Sequence, residues 1–129
     1  MKIFDLQIEV ALANLPRIHQ AVGDQVSVVL VSGADYGTQN GPLCAPAAFA
    51  DLFQPYHMRI NDWIHENTKW KIMIHSCGGI APLLDHFHEM GVDILNPVPT
   101  QQGRRRRGAR TQSGTLESLE VWRLRSAWD

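Results

Sequence analysis

The chain has 129 residues, the size of one domain, and 44% of them are hydrophobic, which argues against disorder throughout. No apolar stretch approaches the roughly 18 residues of a membrane span, and Asp5 and Glu9 interrupt the N-terminal apolar residues, so no signal peptide is predicted. Without a secretion signal, Cys44 and Cys77 are expected to be reduced thiols in a cytoplasmic protein with no membrane partner.

The first half of the chain predicts a helix, a strand and a second helical segment. Residues 3–22 have helical character, and Pro16 is expected to bend or split that helix. Residues 26–32 are short, β-branched and bounded by glycines, which predicts a strand. Residues 46–67 place their apolar side chains at helical spacing, with Pro55 expected to divide the segment in two.

The second half repeats the alternation. Residues 71–75 predict a buried strand, residues 80–90 a helix ended by Gly91, and residues 92–96 a third strand. Apolar strands separated by helices are typical of a parallel sheet covered on both faces, so the predicted class is α/β. Right-handed crossovers would place the carboxyl ends of all three strands at one edge.

Three parallel strands are few for such an architecture. The sheet would have two bare edges, and the helices would lack neighbours. We therefore predict that residues 1–100 are a partial barrel domain, a fragment of a larger (β/α)8 barrel that is inactive by itself.

Polar side chains follow each predicted strand, at the edge where parallel α/β proteins carry out chemistry. Asp35 is a candidate general acid or base, or an anchor for a polar substrate, although an Asx turn would also explain it. Gln39 and Asn40 are candidates for binding substrate carboxylates or hydroxyls, with capping of the loop as the alternative. The full set at this edge is Asp35, Tyr36, Gln39, Asn40, His75, Cys77 and Asn96.

The pair His75-x-Cys77 carries the sharpest chemical signal. An imidazole nitrogen and a thiolate two residues apart at a strand end can bind one tetrahedral zinc ion, but a catalytic site needs three protein ligands. The alternative is a strand-end histidine beside a small cysteine that packs as a hydrophobe. The third-ligand candidates are Cys44, Asp35, His57, His86 or a glutamate.

The remaining histidines are weaker candidates. His57 and His65 are expected on the solvated side of their helix. His86 and His88 lie two residues apart on a helix and do not share a face, so both are expected to be exposed.

Residues 101–129 differ from the rest in charge. They hold seven arginines and three acidic residues, four of the arginines being consecutive at 104–107, whereas residues 1–100 hold five basic and ten acidic residues. Such a run is a nucleic-acid footprint in some proteins and a solvated, disordered segment in others. We favour a third interpretation, in which a shifted reading frame produced this tail, so nucleic acid is not the expected partner.

Several motifs, in order, resemble the uroporphyrinogen decarboxylase superfamily, which also contains corrinoid-linked methyltransferases. The resemblance covers residues 7–99 and breaks off where the arginine-rich tail begins. The motifs that carry it are Asp-Tyr-Gly-Thr-Gln-Asn-Gly-Pro at 35–42, Pro46 with Phe49, Pro55-Tyr56, His-Ser-Cys-Gly-Gly at 75–79 and Gly-Val-Asp-Ile-Leu-Asn-Pro at 91–97.

The resemblance implies a (β/α)8 barrel and two alternative activities. The zinc-dependent methyltransferases hold zinc with a His-x-Cys motif and a later cysteine, and act with a thiol and a corrinoid protein. His75 and Cys77 match the first two ligands, and no cysteine follows Cys77. The decarboxylases convert uroporphyrinogen III to coproporphyrinogen, a tetrapyrrole reaction of porphyrin biosynthesis that needs no metal. In either case Asp35 and Tyr36 are the predicted catalytic residues, and Gln39, Asn40 and Asn96 the predicted substrate contacts.

Overall fold

The computed structural model describes residues 2–96 and 122–123, and it shows an α/β fold. The helices of this part of the chain are α1 (Lys2–Val22), α2 (Pro46–Leu52), α3 (Gln54–Asn67) and α4 (Leu84–Glu89). The strands are β1 (Val28–Ser32), β2 (Gly37–Thr38), β3 (Gly41–Pro42), β4 (Lys71–His75), β5 (Ile94–Asn96) and β6 (Trp122–Arg123).

The main sheet has the strand order β1-β4-β5-β6. The strands β1, β4 and β5 are parallel to one another, which confirms the predicted three-stranded parallel sheet with flanking helices. Each of them lies beside the strand that precedes it in the α/β alternation. The strands β2 and β3 form a separate antiparallel hairpin in the loop that follows β1.

Proline and glycine set the helix boundaries in two places. The predicted division of residues 46–67 is confirmed: α2 ends before Phe53, and Pro55 lies in the first turn of α3, where its missing N–H costs no hydrogen bond. Gly91 follows α4 with φ of 79°, a conformation that suits glycine and ends the helix as predicted. By contrast, α1 continues through Pro16, so the helix is not split there.

The helices pack on one face of the sheet. In β4 and β5 every second residue is buried beneath side chains of the helices, at Ile72, Ile74 and Leu95. The alternate residues face the other way, and among them Leu30 is 54% exposed. The expectation that both faces are covered is therefore wrong for the described residues, because successive right-handed crossovers in one direction put all their helices on the same side.

A buried carboxylate joins α3 to the sheet. Asp93 accepts a 2.8 Å hydrogen bond from the backbone N–H of Ile72, and its Oδ2 lies 2.9 Å from Nε2 of His65. Asp93 is almost fully buried and the side chain of His65 is 27% exposed. The expectation that His65 lies on the solvated side is wrong, because its ring satisfies this buried acid.

Two residues of the tail, Trp122 and Arg123, form β6 and pair with Leu95 and Ile94 of β5. The tail therefore touches the body at this point. The rest of residues 101–129, with the arginines at 104–107, lies outside the described residues, as do the expectations attached to it.

Among the helices in the described ranges, none has both the length and the apolar content of a membrane span.

Candidate metal centre at the carboxyl edge of the sheet

Three parallel strands deliver polar side chains to one edge of the sheet. Asp35 follows β1, His75 is the last residue of β4 with Cys77 just beyond it, and Asn96 ends β5. Because β1, β4 and β5 are parallel neighbours, these residues meet as the strand order predicts. Asp35 and Asn96 are far apart in the sequence, and the parallel arrangement of the strands brings them to the same edge of the sheet.

Asp35, His75 and Cys77 form a compact group. Sγ of Cys77 lies 3.3 Å from Nε2 of His75, and the same Nε2 lies 3.8 Å from Oδ1 of Asp35. All three potential ligand atoms lie within 4.8 Å of one another. The group is open to solvent, since the side chains of His75 and Asp35 are 38% and 54% exposed.

These separations suit a shared metal ion. Zinc bonds of about 2.3 Å to sulfur and about 2.0–2.1 Å to nitrogen and oxygen place tetrahedral ligands about 3.4–3.6 Å apart. The observed 3.3 Å and 3.8 Å are close to that range. A thiolate and a carboxylate would also balance the double charge of zinc. The donor set therefore fits zinc, with three protein ligands and room for a fourth from solution.

The acid and the thiol are coupled. The backbone N–H of Cys77 donates a 2.7 Å hydrogen bond to Oδ1 of Asp35, which fixes the two loops together. Partial desolvation and the negative charge and hydrogen bonding of Asp35 raise the pKa of the Cys77 thiol. A cation bound between the two groups would offset the negative charge of Asp35 and favour the thiolate of Cys77.

His75 also contacts the neighbouring strand. Its Nδ1 lies 2.7 Å from Oδ1 of Asn96, its direct partner in the β4–β5 register. The backbone of the same region is paired, since the N–H of Ser76 donates to the carbonyl of Asn96 at 2.9 Å. The structure thus places Asn96 against the candidate metal ligand.

Tyr36 lies in the core and not among the exposed groups of the edge. Its side chain packs against Phe49 and Phe87, and its hydroxyl lies 2.8 Å from Nε2 of His57. Burial raises the pKa of Tyr36 and lowers that of His57. The expectation that His57 is on the solvated side is wrong, and the catalytic role of Tyr36 stays a prediction.

Ser76 is a member of the site that sequence reasoning missed. It is buried, and its Oγ accepts a 2.8 Å hydrogen bond from the backbone N–H of Tyr36. The sequence pattern could have identified Ser76, because on an extended chain the residue between His75 and Cys77 faces the side opposite to theirs. Ser76 thereby connects the loop after β1 to the loop after β4.

Gln39 and Asn40 form the exposed two-residue turn between β2 and β3. The backbone N–H of Asn40 donates to Oγ1 of Thr38 at 3.1 Å, and that hydroxyl donates to the carbonyl of Gly41 at 3.0 Å. The side chain that caps this loop is thus that of Thr38, whereas capping was the alternative predicted for Gln39 and Asn40. The two side chains remain exposed, and their substrate contacts stay predictions.

Glycines let the hairpin approach the loop after β4. The N–H of Gly79 donates to the carbonyl of Thr38 at 2.7 Å. A Cβ on Gly37 would lie 2.6 Å from the carbonyl oxygen of Cys77, and one on Gly78 would collide with the carbonyl group of Gly37. The backbone of residues 77–79 is thus packed directly against the backbone of residues 37 and 38, with no room for a side chain between them.

The other third-ligand candidates lie elsewhere. Cys44 is a free thiol that packs against the core cluster containing Tyr36 and Phe49. Nδ1 of His86 lies 3.0 Å from Oε1 of Gln54, so its expected exposure is only partial. Within the described residues, Asp35 is the candidate that the fold brings to His75 and Cys77.

Comparisons of the chain with models of known protein families, with curated proteins and with solved structures found no match.

Proposed function

We propose that this chain is part of a (β/α)8-barrel enzyme of the uroporphyrinogen decarboxylase superfamily, in its zinc-dependent methyltransferase branch. The observation that carries the proposal is the approach of Cys77 Sγ to His75 Nε2 at 3.3 Å, with Oδ1 of Asp35 3.8 Å from that nitrogen. This group lies at the carboxyl ends of parallel strands, where barrel enzymes place their catalytic residues.

The topology supports the barrel part of the proposal. The sequential order β1-β4-β5 with helices on one face is the arrangement of a barrel wall. A doubly wound sheet would instead reverse its strand order and put helices on both faces. The exposed apolar face of the described sheet corresponds, in this proposal, to the interior of the barrel.

In the proposed site, His75, Cys77 and Asp35 hold zinc, and Asp35 takes the place that a later cysteine has in the methyltransferases. When bound, zinc would act as a Lewis acid that favours the thiolate form of a thiol substrate. The proposed partners are a small thiol and a methyl donor carried by a corrinoid protein. The residues of this chain contribute ligands and a fixed backbone at Cys77.

The metal-free decarboxylase is the second candidate. The observation that favours it is the exposed carboxylate of Asp35 at the same edge, since that branch handles its tetrapyrrole substrate with a carboxylate at the barrel mouth. It requires no metal affinity at His75 and Cys77, and this difference separates the two candidates.

The test is a zinc titration of the purified chain by competition with a chromophoric chelator. We expect one zinc per wild-type chain, and affinity losses of about 100-fold or more for His75→Ala, Cys77→Ser and Asp35→Asn, since even indirect contacts to a metal ligand are worth about 10–100-fold. Cys44→Ser is the matched control and should bind as wild type does. Equal, weak binding by all variants would overturn the zinc assignment and favour the decarboxylase.

A second measurement tests the open ligand position. Cobalt(II) in the same site should show an intense visible spectrum with a thiolate charge-transfer band, and 2-mercaptoethanol should change it as a second sulfur binds. A spectrum that is insensitive to added thiol would contradict the methyltransferase branch.

A further inference from the structure

The contact between His75 and Asn96 determines which ring nitrogen of the histidine faces the candidate metal. Oδ1 of an asparagine only accepts hydrogen bonds, so the 2.7 Å contact requires the proton to be on Nδ1 of His75. In a neutral imidazole with the proton on Nδ1, Nε2 carries the lone pair, and it is this atom that lies 3.3 Å from Sγ of Cys77 and 3.8 Å from Oδ1 of Asp35.

The position of Asn96 is fixed by the sheet and not by a flexible loop. Asn96 is the register partner of His75 across the parallel β4–β5 pair, which puts both side chains on the same face. The 2.9 Å hydrogen bond from Ser76 N–H to the carbonyl of Asn96 anchors the backbone directly beside it. The backbone of Asn96 is therefore anchored beside the residue that follows His75.

We propose that Asn96 is a positioning residue of the metal centre, which holds His75 in the tautomer and orientation that present Nε2 to the metal. The inference rests on the proposed function, because it assigns Asn96 a role toward a metal ligand in place of the substrate contact expected from the sequence. Histidine ligands are commonly oriented by a hydrogen-bond acceptor on their second nitrogen.

Asn96 supplies a neutral acceptor to the imidazole, and an aspartate at the same position would keep that acceptor. A zinc ion bound by the thiolate of Cys77 and the carboxylate of Asp35 is already neutralised. An amide oxygen orients the imidazole without adding a third negative charge to the group.

The first test is cobalt(II) titration of wild type, Asn96→Leu, Asn96→Asp and the control Asn67→Leu, which replaces an exposed asparagine of α3. We expect Asn96→Leu to weaken cobalt binding about 10- to 100-fold. Asn96→Asp should bind close to wild type, because an acceptor is retained, and so should Asn67→Leu. Circular dichroism of Asn96→Leu shows whether the fold is kept.

The second test reads the tautomer of His75 in the metal-free chain by nitrogen-15 NMR, with His75→Gln used for assignment. Wild type and Asn96→Asp should show a protonated Nδ1 and an unprotonated Nε2, whereas Asn96→Leu should show a mixture of tautomers. A wild-type tautomer in folded Asn96→Leu, together with unchanged cobalt affinity, would overturn the role of Asn96.

The two proposals fail in different ways. If wild type binds no cobalt, the proposed metal function is wrong and Asn96 loses this role with it. If wild type binds cobalt but Asn96→Leu binds it equally well, only the inference about Asn96 is wrong.

Discussion

Tyr36 connects the loop after β1 to both the core and the site. Its ring packs edge-on against Phe49 at a centroid distance of 5.1 Å, and its backbone N–H donates to the buried Oγ of Ser76. Its hydroxyl reaches His57, whose second nitrogen, Nδ1, is buried without a hydrogen-bond partner among the described residues. Asp35 is therefore next in sequence to a buried residue that is hydrogen-bonded through both its backbone and its side chain.

The environment of His57 predicts a stability that depends on pH. Burial lowers the pKa of His57 below its ordinary value of about 6.5, so below about pH 6.5 the unfolded chain takes up a proton that the folded chain does not. The contribution of His57 is fully present above that pH and is lost as the pH falls toward the lowered folded pKa. The charged ring would carry protons on both nitrogens, and Nδ1 has no acceptor among the described residues.

Urea unfolding at a series of pH values, followed by tryptophan fluorescence, checks this prediction. His57→Gln can keep the hydrogen bond to Tyr36 but cannot titrate, so its free energy of unfolding should fall less steeply in acid than that of wild type. His88→Gln, which changes an exposed imidazole of α4, is the control and should follow wild type. Identical acid slopes for wild type and His57→Gln would contradict the burial argument.

The hairpin β2–β3 and the loop after β4 are joined through glycine backbones. The close approach of Gly37 and Gly78 leaves no room for a Cβ on either residue, and Gly78 also has φ of 87°. A positive φ favours glycine by about 1–3 kcal/mol over other residues in such a constrained position. Because Cys77 directly precedes Gly78, the same contact fixes the candidate thiolate ligand.

We therefore predict that Gly78→Ala lowers the free energy of unfolding by about 1–3 kcal/mol from backbone conformation alone, with further loss from the collision. It should also weaken zinc binding, because the hairpin must move away from Cys77. Gly33→Ala is the matched control: a Cβ there meets nothing within 4 Å, so its unfolding midpoint should stay close to wild type. Urea midpoints and zinc affinities that are equal for both variants would contradict this account.

On the scale of the whole molecule, the sheet has one buried face and one apolar face that the described helices do not cover. Leu30, Met73 and Ile94 are register neighbours across β1, β4 and β5 and form an apolar row on that open face. Together with exposed apolar side chains on α1, at Ile3, Leu6 and Val10, this leaves much apolar surface in contact with water. Surfaces of this kind promote association.

We predict that the chain, expressed alone, associates through the open face of the sheet. Leu30→Lys places a charge at the exposed end of the apolar row, on β1, and should shift the population toward monomer in sedimentation velocity experiments. Gln25→Lys adds the same charge at an exposed polar residue and should leave association unchanged. A wild-type chain that is monomeric at high concentration and unfolds cooperatively would count against the barrel-fragment interpretation.

Local patterns in the sequence determined most of the secondary structure. The division at Pro55, the stop at Gly91 and the strand before His75 follow from φ restriction, glycine freedom and apolar periodicity, all of which act over a few residues. The placement of polar residues at the strand ends also followed, because parallel strands share an edge. The position of His75 and Cys77 at that edge was therefore available from the sequence.

Only the tertiary structure decided which distant residues meet there. The choice of Asp35 over Cys44 beside Cys77, the pairing of His75 with Asn96 and the burial of His57 against Tyr36 depend on strand register, loop path and helix rotation. None of these has a local period, because each contact joins residues that are at least 21 positions apart in the chain. The packing of all the described helices on one face of the sheet was likewise set by the direction of the crossovers. Apolar periodicity within a strand cannot specify that direction.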